Sequence, residues 1–285
     1  MQPLFLRFLR EIRRHFWVYL VLSVMCVPFI FPFLWMIGSS FKTSIEVFAT
    51  PPTLIPTTLN WENYARIFEM QPFAQQYWNS TWIAVVVTVG TIIVSSLAGY
   101  AFARITFWGS GLLFLLLLSG LMMPEEVTIL PRFMLVQSLR LDNTHIPLVI
   151  FPIFGSHGVV ATFMMRQHFL GMPEELEEAA RLDGLGRWGI FWRIAMPIAS
   201  PVLSAVAILT FLYSWNSFLE PLVFLQDVQL FTLPLALRGF TDEFGFTVWE
   251  VQLAATTLSV LPILVFYILA QRLVVESFAS SGVKG

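Results

Sequence analysis

Charge is scarce in this chain of 285 residues. Charged residues make up 12% of the sequence, against about 25% in ordinary soluble domains, whereas hydrophobic residues make up 57% and the mean hydropathy is +0.75. The 16 basic and 18 acidic residues would cover the surface of a soluble fold of this length poorly. The composition therefore excludes a soluble globular enzyme.

Metal-binding and nucleic-acid-binding patterns are also missing. The single cysteine, Cys26, cannot form an internal disulfide, and no group of Cys and His residues has the spacing of zinc ligands. The net charge of −2 argues against a nucleic-acid partner, because binding a phosphate backbone requires a clustered basic surface. We therefore predict no metal site, no catalytic residues and no nucleic-acid interface.

Long uncharged stretches separate the few charges. A transmembrane helix needs about 20 predominantly apolar residues, whereas a membrane strand needs about 9–11 and alternates in character. The stretch 112–118, LLFLLLL, shows no alternation. The sequence therefore predicts an all-α membrane protein, with one transmembrane domain over residues 1–285 and six spans at about residues 15–41, 79–103, 105–124, 143–165, 198–219 and 251–271.

The placement of the basic residues predicts the orientation of these spans. Six spans put both termini on one side, and most of the 16 lysines and arginines fall on that side. Since cytoplasmic loops carry an excess of Lys and Arg, both termini are predicted to be cytoplasmic. The first apolar run is longer than the about 7–15 residues of a signal-peptide core, so it is predicted to be a retained span.

The fourth loop, residues 166–197, carries most of the local charge and predicts a helix-turn-helix. Pro173 suits a first helical turn, and the glutamates that follow it place negative charge near the positive end of the helix dipole. Gly184 and Gly186 predict a turn before a second short helix. An amphipathic connector at the lipid headgroups is the alternative, but an anionic leaflet would repel the acidic first helix. A surface that docks another protein explains that helix better.

The same loop resembles a known motif. It is similar to the EAA signature of ABC-importer permeases, and the matching positions are Glu178-Ala179-Ala180, Gly184, Ile194 and Met196-Pro197. Met196 departs from the usual Leu, with similar volume. Further segments resemble the carbohydrate, maltose-type branch of these permeases: Trp215-Asn216, Pro221-Leu222 and Gly282-Val283-Lys284-Gly285.

The resemblance implies a permease subunit of an ATP-driven importer in the cytoplasmic (inner) membrane of a prokaryote, forming half of the translocation pathway for a sugar or oligosaccharide. It implies a separate ATPase dimer that binds ATP and Mg, a second, dissimilar permease and an extracytoplasmic substrate-binding protein. The absence of a G-x-x-x-x-G-K-[ST] loop in this chain agrees with hydrolysis elsewhere. The implied ATPase-docking residues are Glu178, Ala179, Ala180, Arg181, Leu182, Asp183 and Gly184. For Ala180 and Gly184, simple helix and cap roles are the alternative.

The substrate pathway is less defined by the sequence. Polar residues in or near the spans are candidates for lining it, namely Asn79, Ser214, Trp215, Asn216, Gln252 and Thr256. The alternative is that they bond neighbouring helices to each other. The uncharged runs hold no carboxylate, which disfavours an ion-coupled secondary carrier. An ABC permease for glycerol-phosphate or a polyamine stays open, with basic groups expected along the first pathway and acidic groups along the second.

Overall fold

The computed structural model describes the backbone of residues 15–281 and the side chains of residues 15–268. Every regular element in that part of the chain is a helix, apart from one isolated antiparallel bridge between Thr241 and Thr247. The predicted all-helical character is therefore confirmed. The arginines before residue 15 and the segment 282–285, on which the predicted orientation and part of the resemblance depend, lie outside the described residues.

Two compact units divide the chain. One comprises Met1–Met70 with Phe240–Leu258, and the other comprises Gln71–Gly239 with Ser259–Gly285. The prediction of a single transmembrane domain stays a prediction.

The first unit holds the helices α1 (Phe16–Ser39), α2 (Ser44–Val47) and α3 (Glu62–Met70). Lys42 follows α1 and is buried, with its ammonium donating to the carbonyl of Thr53 and to Ser39 Oγ. Asn63 of α3 donates to the carbonyls of Ser40 and Lys42 at 2.9 and 2.8 Å. These bonds satisfy a buried cation and buried carbonyls, so they hold the segment after α1 against α3.

The second unit holds the remaining helices up to residue 239. They are α4 (Phe73–Arg104), α5 (Ser110–Ser119), α6 (Glu125–Ser138), α7 (Ile146–Phe154), α8 (Ser156–Leu170), α9 (Glu174–Leu182), α10 (Arg187–Ile198), α11 (Ser200–Trp215), α12 (Leu219–Phe224) and α13 (Leu233–Ala236). A final helix, α14 (Trp249–Ser281), has residues in both units.

Helix α4 is the centre of the second unit, where it packs against α7, α8 and α11. Small residues allow the close approach. A Cβ atom added at Gly99 would lie 2.7 Å from Met165 Cβ, and one added at Gly90 would lie 2.5 Å from Ile153 Cδ1. Small residues are typical of helix contacts in membranes. The hydrophobic effect does not drive helices together in hydrocarbon, so close van der Waals packing has to stabilise the contact.

Three breaks interrupt the apolar helices. The segment Ser110–Met122 meets α6 at an angle of 102°, α7 and α8 are separated at Gly155, and α10 meets α11 at 75° around Ala199. Four helices of the described chain are long and apolar enough to cross a membrane, or up to six if each bent pair is one span. The count of six therefore stays a prediction.

The helix bounds differ from the predicted spans in a consistent way. Helix α4 begins at Phe73, before the predicted span at 79–103, and α14 continues to Ser281, past the predicted end at 271, because helices extend past the apolar core of a span. Conversely, α5 begins only at Ser110, after Gly109 with φ +80°, so residues 105–109 are not helical. Helix α8 continues to Leu170, into the predicted loop.

Candidate functional site

Helix α9 and the turn after it form the charged surface that the sequence predicts for docking another protein. Pro173 precedes the helix, and Glu174 and Glu175 occupy its first turn, where carboxylates complement the exposed N–H groups. The helix ends in a turn in which Gly184 has φ +83° and Leu185 N–H donates to the carbonyl of Ala180. The left-handed conformation explains the glycine, since other residues adopt it only with strain.

A buried carboxylate fastens α9 to the end of α4. Glu177 is 5% exposed, and its carboxylate lies 3.5 Å from Arg104 Nε and 3.2 Å from Arg181 Nη2. The Tyr100 hydroxyl donates to the same carboxylate at 3.4 Å. Arg104 also donates from Nε to the carbonyl of Phe169 at 2.9 Å. One guanidinium therefore joins α4, the end of α8 and α9.

The predicted docking residues divide by exposure. Ala180 is buried, on the same face of α9 as Glu177, so it packs within the chain. Leu182 is 89% exposed. The other members of the predicted set are exposed: Glu178, Ala179, Arg181, Asp183 and Gly184.

The predicted pathway residues of the second unit have different surroundings. Asn79 is buried, and its amide donates to the carbonyls of Gln229 and Phe231 at 2.7 and 3.1 Å. Trp215 is buried and stacks on Phe211 with ring centroids 5.6 Å apart. Asn216 is exposed. Ser214 is half-buried and borders a small void.

Gln252 and Thr256 lie one turn apart on α14, in the first unit. Both are half-buried, and the Thr256 hydroxyl donates to the carbonyl of Gln252 at 2.7 Å. This bond is local to the helix.

A polar cavity of about 290 Å³ lies where α6 meets the end of α11 and the start of α12. Arg132 Nη1 and Glu220 Oε1 are 2.8 Å apart, and the Tyr213 hydroxyl lies 2.9 Å from both oxygens of Glu125. Ser156 donates to Glu125 Oε1 at 2.7 Å. The residues that line the cavity are Glu125, Glu126, Ile129, Arg132, Tyr213, Asn216, Ser217, Phe218, Leu219 and Glu220.

Sequence reasoning missed both of these charged networks. The lack of carboxylates inside the uncharged runs gave no indication of buried ones elsewhere. Glu220 and Glu250 are buried next to a run, and Glu177 is buried in the loop 166–197. One signal was available for the first network, because Glu177 and Ala180 are three residues apart and share a helix face. The pairing of Arg132 with Glu220 has no local signal, since the two residues belong to different helices.

Comparison with known proteins identifies the family of this chain. A family described as "Binding-protein-dependent transport system inner membrane component" matches residues 80–279, which include α9, its turn and the polar cavity. The chain belongs to this family. The resemblance to ABC-importer permeases is thereby confirmed, and with its apolar helices the chain is a multi-pass inner-membrane transport component.

Individual members of the family align with nearly the whole chain. The arabinooligosaccharides transport system permease protein AraQ of Halalkalibacterium halodurans is 40% identical over 262 residues, which are 90% of this chain and 91% of the relative. The sn-glycerol-3-phosphate transport system permease protein UgpE of Yersinia enterocolitica is 32% identical over 271 residues, which are 93% and 95% of the two chains.

A solved structure shares the fold of this permease. It is the crystal structure of a bacterial ABC transporter involved in the import of the acidic polysaccharide alginate, with a TM-score of 0.76 and 20% identity. The match covers 92% of this chain and 97% of the other.

Proposed function

We propose that this chain is the permease subunit of an ATP-driven importer for a sugar or oligosaccharide, and that it forms half of the translocation pathway. The observation that carries the proposal is the 40% identity with an arabinooligosaccharide permease over 90% of this chain. ABC permeases are transport components, so ATP and Mg are expected in a separate ATPase dimer. A second, dissimilar permease, an extracytoplasmic binding protein and membrane lipid complete the proposed surroundings.

The helix-turn-helix of α9 and α10 is the proposed contact with the ATPase. Its exposed surface carries Glu178 and Asp183 beside the apolar Leu182, which suits a partner groove with a basic rim and an apolar floor. A second polar cavity, of about 300 Å³, borders this surface and is lined by Arg104, Glu174, Glu177, Glu178 and Arg181 among others. A basic side chain of the ATPase would find negative charge there.

The contacts of α9 suggest how the motion of the ATPase would reach the pathway. Movement of α9 would act on α4 and α8 through Arg104 and Glu177, whose charged groups are nearly buried. It would also act on α11 through α10, which follows the turn directly. The proposed cycle alternates between inward-open and outward-open states, with six spans and both termini in the cytoplasm.

An ABC permease for glycerol-phosphate is the second candidate, because UgpE is 32% identical over 93% of this chain. The polyamine permease stays an alternative from the sequence alone. The family match speaks against an ion-coupled secondary carrier, which leaves the helix-turn-helix without a role.

Purification of the tagged chain from its own membranes tests the proposed function. We expect an ATPase and a second permease to co-purify with it, and the reconstituted assembly to import a sugar only when ATP and the binding protein are present. A chain that purifies alone and transports without ATP would contradict the proposal.

A further inference from the structure

The polar cavity between α6 and the α11–α12 junction has no role in the proposed contact with the ATPase. Three carboxylates line it, those of Glu125, Glu126 and Glu220, together with one guanidinium, that of Arg132. Asn216, Ser217 and Tyr213 add amide and hydroxyl groups, and Phe218 adds an aromatic ring. Its volume of about 290 Å³ is at the lower end of the about 300–1,000 Å³ of small-molecule sites, which suits one sugar ring better than a long chain.

One cavity-lining carboxylate is bonded within the chain at only one of its two oxygens. Glu220 is 5% exposed, and its Oε1 is bonded to Arg132. Its Oε2 accepts no hydrogen bond from any residue in the described part of the chain. This oxygen is not among the fully buried side-chain oxygens of the described residues, so it is accessible from the cavity and can accept a hydrogen bond from a solute.

The cavity wall also offers both hydrogen-bond donors and acceptors. The Asn216 amide donates to the carbonyl of Leu212 and keeps its oxygen free, and the Ser217 hydroxyl has no bond among the described residues. Each sugar hydroxyl donates one hydrogen bond and accepts others, so it matches a wall of this kind.

The charges in the cavity distinguish between classes of solute. Three carboxylates against one guanidinium leave a net negative wall, which repels a phosphate or a uronate. A multivalent cation would need several unpaired carboxylates. Glu220 is paired with Arg132 and Glu125 accepts from two hydroxyls, which leaves one unpaired carboxylate on the wall, that of the exposed Glu126. Arg132 would also repel a cation at close range.

We propose that this cavity binds the hydroxyl groups of a neutral saccharide, with Glu220 and Asn216 as direct hydrogen-bonding partners, and that its negative wall rejects anionic solutes. The inference rests on the proposed function and deepens it, because it assigns substrate contacts to this subunit and distinguishes its cargo from glycerol-phosphate.

Saturation-transfer NMR on the assembly that purifies with the chain, held in lipid nanodiscs without binding protein, tests this proposal. The probes are arabinotriose and maltotriose as neutral saccharides, sn-glycerol 3-phosphate as an anion and spermidine as a cation, at equal concentration. We expect saturation transfer to a neutral trisaccharide alone. Asn216→Ala should weaken that binding about fivefold, the loss of one hydrogen bond. Gln137→Ala, an exposed change on α6 outside the cavity, should leave the affinity unchanged.

A charge reversal tests the rejection of anions separately. Glu126 is exposed, so Glu126→Lys should fold normally, and it should increase binding of sn-glycerol 3-phosphate about tenfold. Asp142→Lys, an exposed reversal away from the cavity, is the matched control.

The possible failures can be told apart. If the wild-type assembly contains its ATPase but binds the anion or spermidine as well as it binds a trisaccharide, the cavity assignment is overturned and the proposed function stands. Trisaccharide binding that Asn216→Ala and Glu126→Lys leave unchanged places the sugar elsewhere and also overturns it. Absence of an ATPase from the purified material contradicts the proposed function instead.

Discussion

Arg104 and Glu177 form an ion pair, 3.5 Å from Nε to Oε1, in which both side chains are less than one tenth exposed. The pair joins the end of the longest helix of the second unit to the short helix that precedes the Gly184 turn. A buried pair costs desolvation free energy, and breaking it by removing one partner leaves the other charge uncompensated. Its position predicts a role in transmitting force from α9 to α4.

Glu177→Gln should therefore reduce sugar import per ATP hydrolysed at least about fivefold, because the Arg104 charge then keeps only the exposed carboxylate of Glu174 at 3.9 Å. The measurement is uptake and ATP hydrolysis in the same proteoliposomes. Glu175→Gln removes an exposed carboxylate from the same helix and should leave the ratio unchanged. An equal ratio in both variants would remove the pair from the transmission route.

Gly184→Val should uncouple transport from ATP hydrolysis while the protein still inserts into the membrane. Gly184 has φ +83°, and no atom lies within 4 Å of an added Cβ, so the cost is conformational and of about 1–2 kcal/mol. Gly186→Ala is the control, since φ there is −77° and the space is also open. Normal ATP-driven uptake by Gly184→Val in vesicles would contradict the coupling assignment.

Leu182→Asp should weaken ATPase binding about thirtyfold or more without unfolding the permease. The side chain is 89% exposed, so its loss costs the isolated chain little, whereas an apolar anchor in an interface contributes about 2 kcal/mol or more. Co-purification and thermal unfolding measure the two effects separately. Retention of the ATPase would show that the docking surface lies elsewhere.

Gly99→Val should destabilise the second unit by about 1–3 kcal/mol, because the new side chain would meet Met165 Cβ and Arg166 N at less than 3 Å. The midpoint of thermal unfolding in detergent is the measurement. Gly120→Ala is matched to it, since a Cβ at Gly120 has no neighbour within 4 Å. Similar midpoints would mean that α4 and α8 can separate freely.

Asn79→Ala should lower stability by about 1–3 kcal/mol, because it leaves the carbonyls of Gln229 and Phe231 without their donor. Asn216→Ala should change stability by less than about 0.5 kcal/mol, because Asn216 is exposed. The two variants distinguish an amide that bonds α4 to the segment 229–231 from one that is available to the substrate. A larger loss of stability in Asn216→Ala than in Asn79→Ala would favour Asn79 as a residue that lines the substrate pathway.

Local features of the fold could be predicted from the sequence, and long-range pairs could not. Pro173, the glutamates after it and Gly184 predicted a helix and a turn, because capping and glycine conformations act within a few residues. Helix α6 has the same signal, because Pro124 precedes it and Glu125 and Glu126 occupy its first turn, but it was not predicted. The break at Gly155 has no comparable charged signal in an almost uniformly apolar segment.

The same reasoning explains the incomplete prediction of the candidate sites. Asn79 and Asn216 are the same residue type near the ends of two helices, yet Asn79 is buried with three partners and Asn216 is exposed. Only the tertiary packing distinguishes them. The Arg132–Glu220 pair likewise depends on how α6 meets α12, which periodicity does not encode.

The contact at Gly99 limits which parts of this permease can move. Since even one methyl group does not fit between Gly99 and Met165, α4 and α8 are in tight contact and should move as one rigid body. Hinges must then lie where helices are already interrupted, which is before α6, at Gly155 and at Ala199. A bifunctional crosslink across Ala199 should therefore arrest the transport cycle, whereas a crosslink between α4 and α8 should leave its rate unchanged.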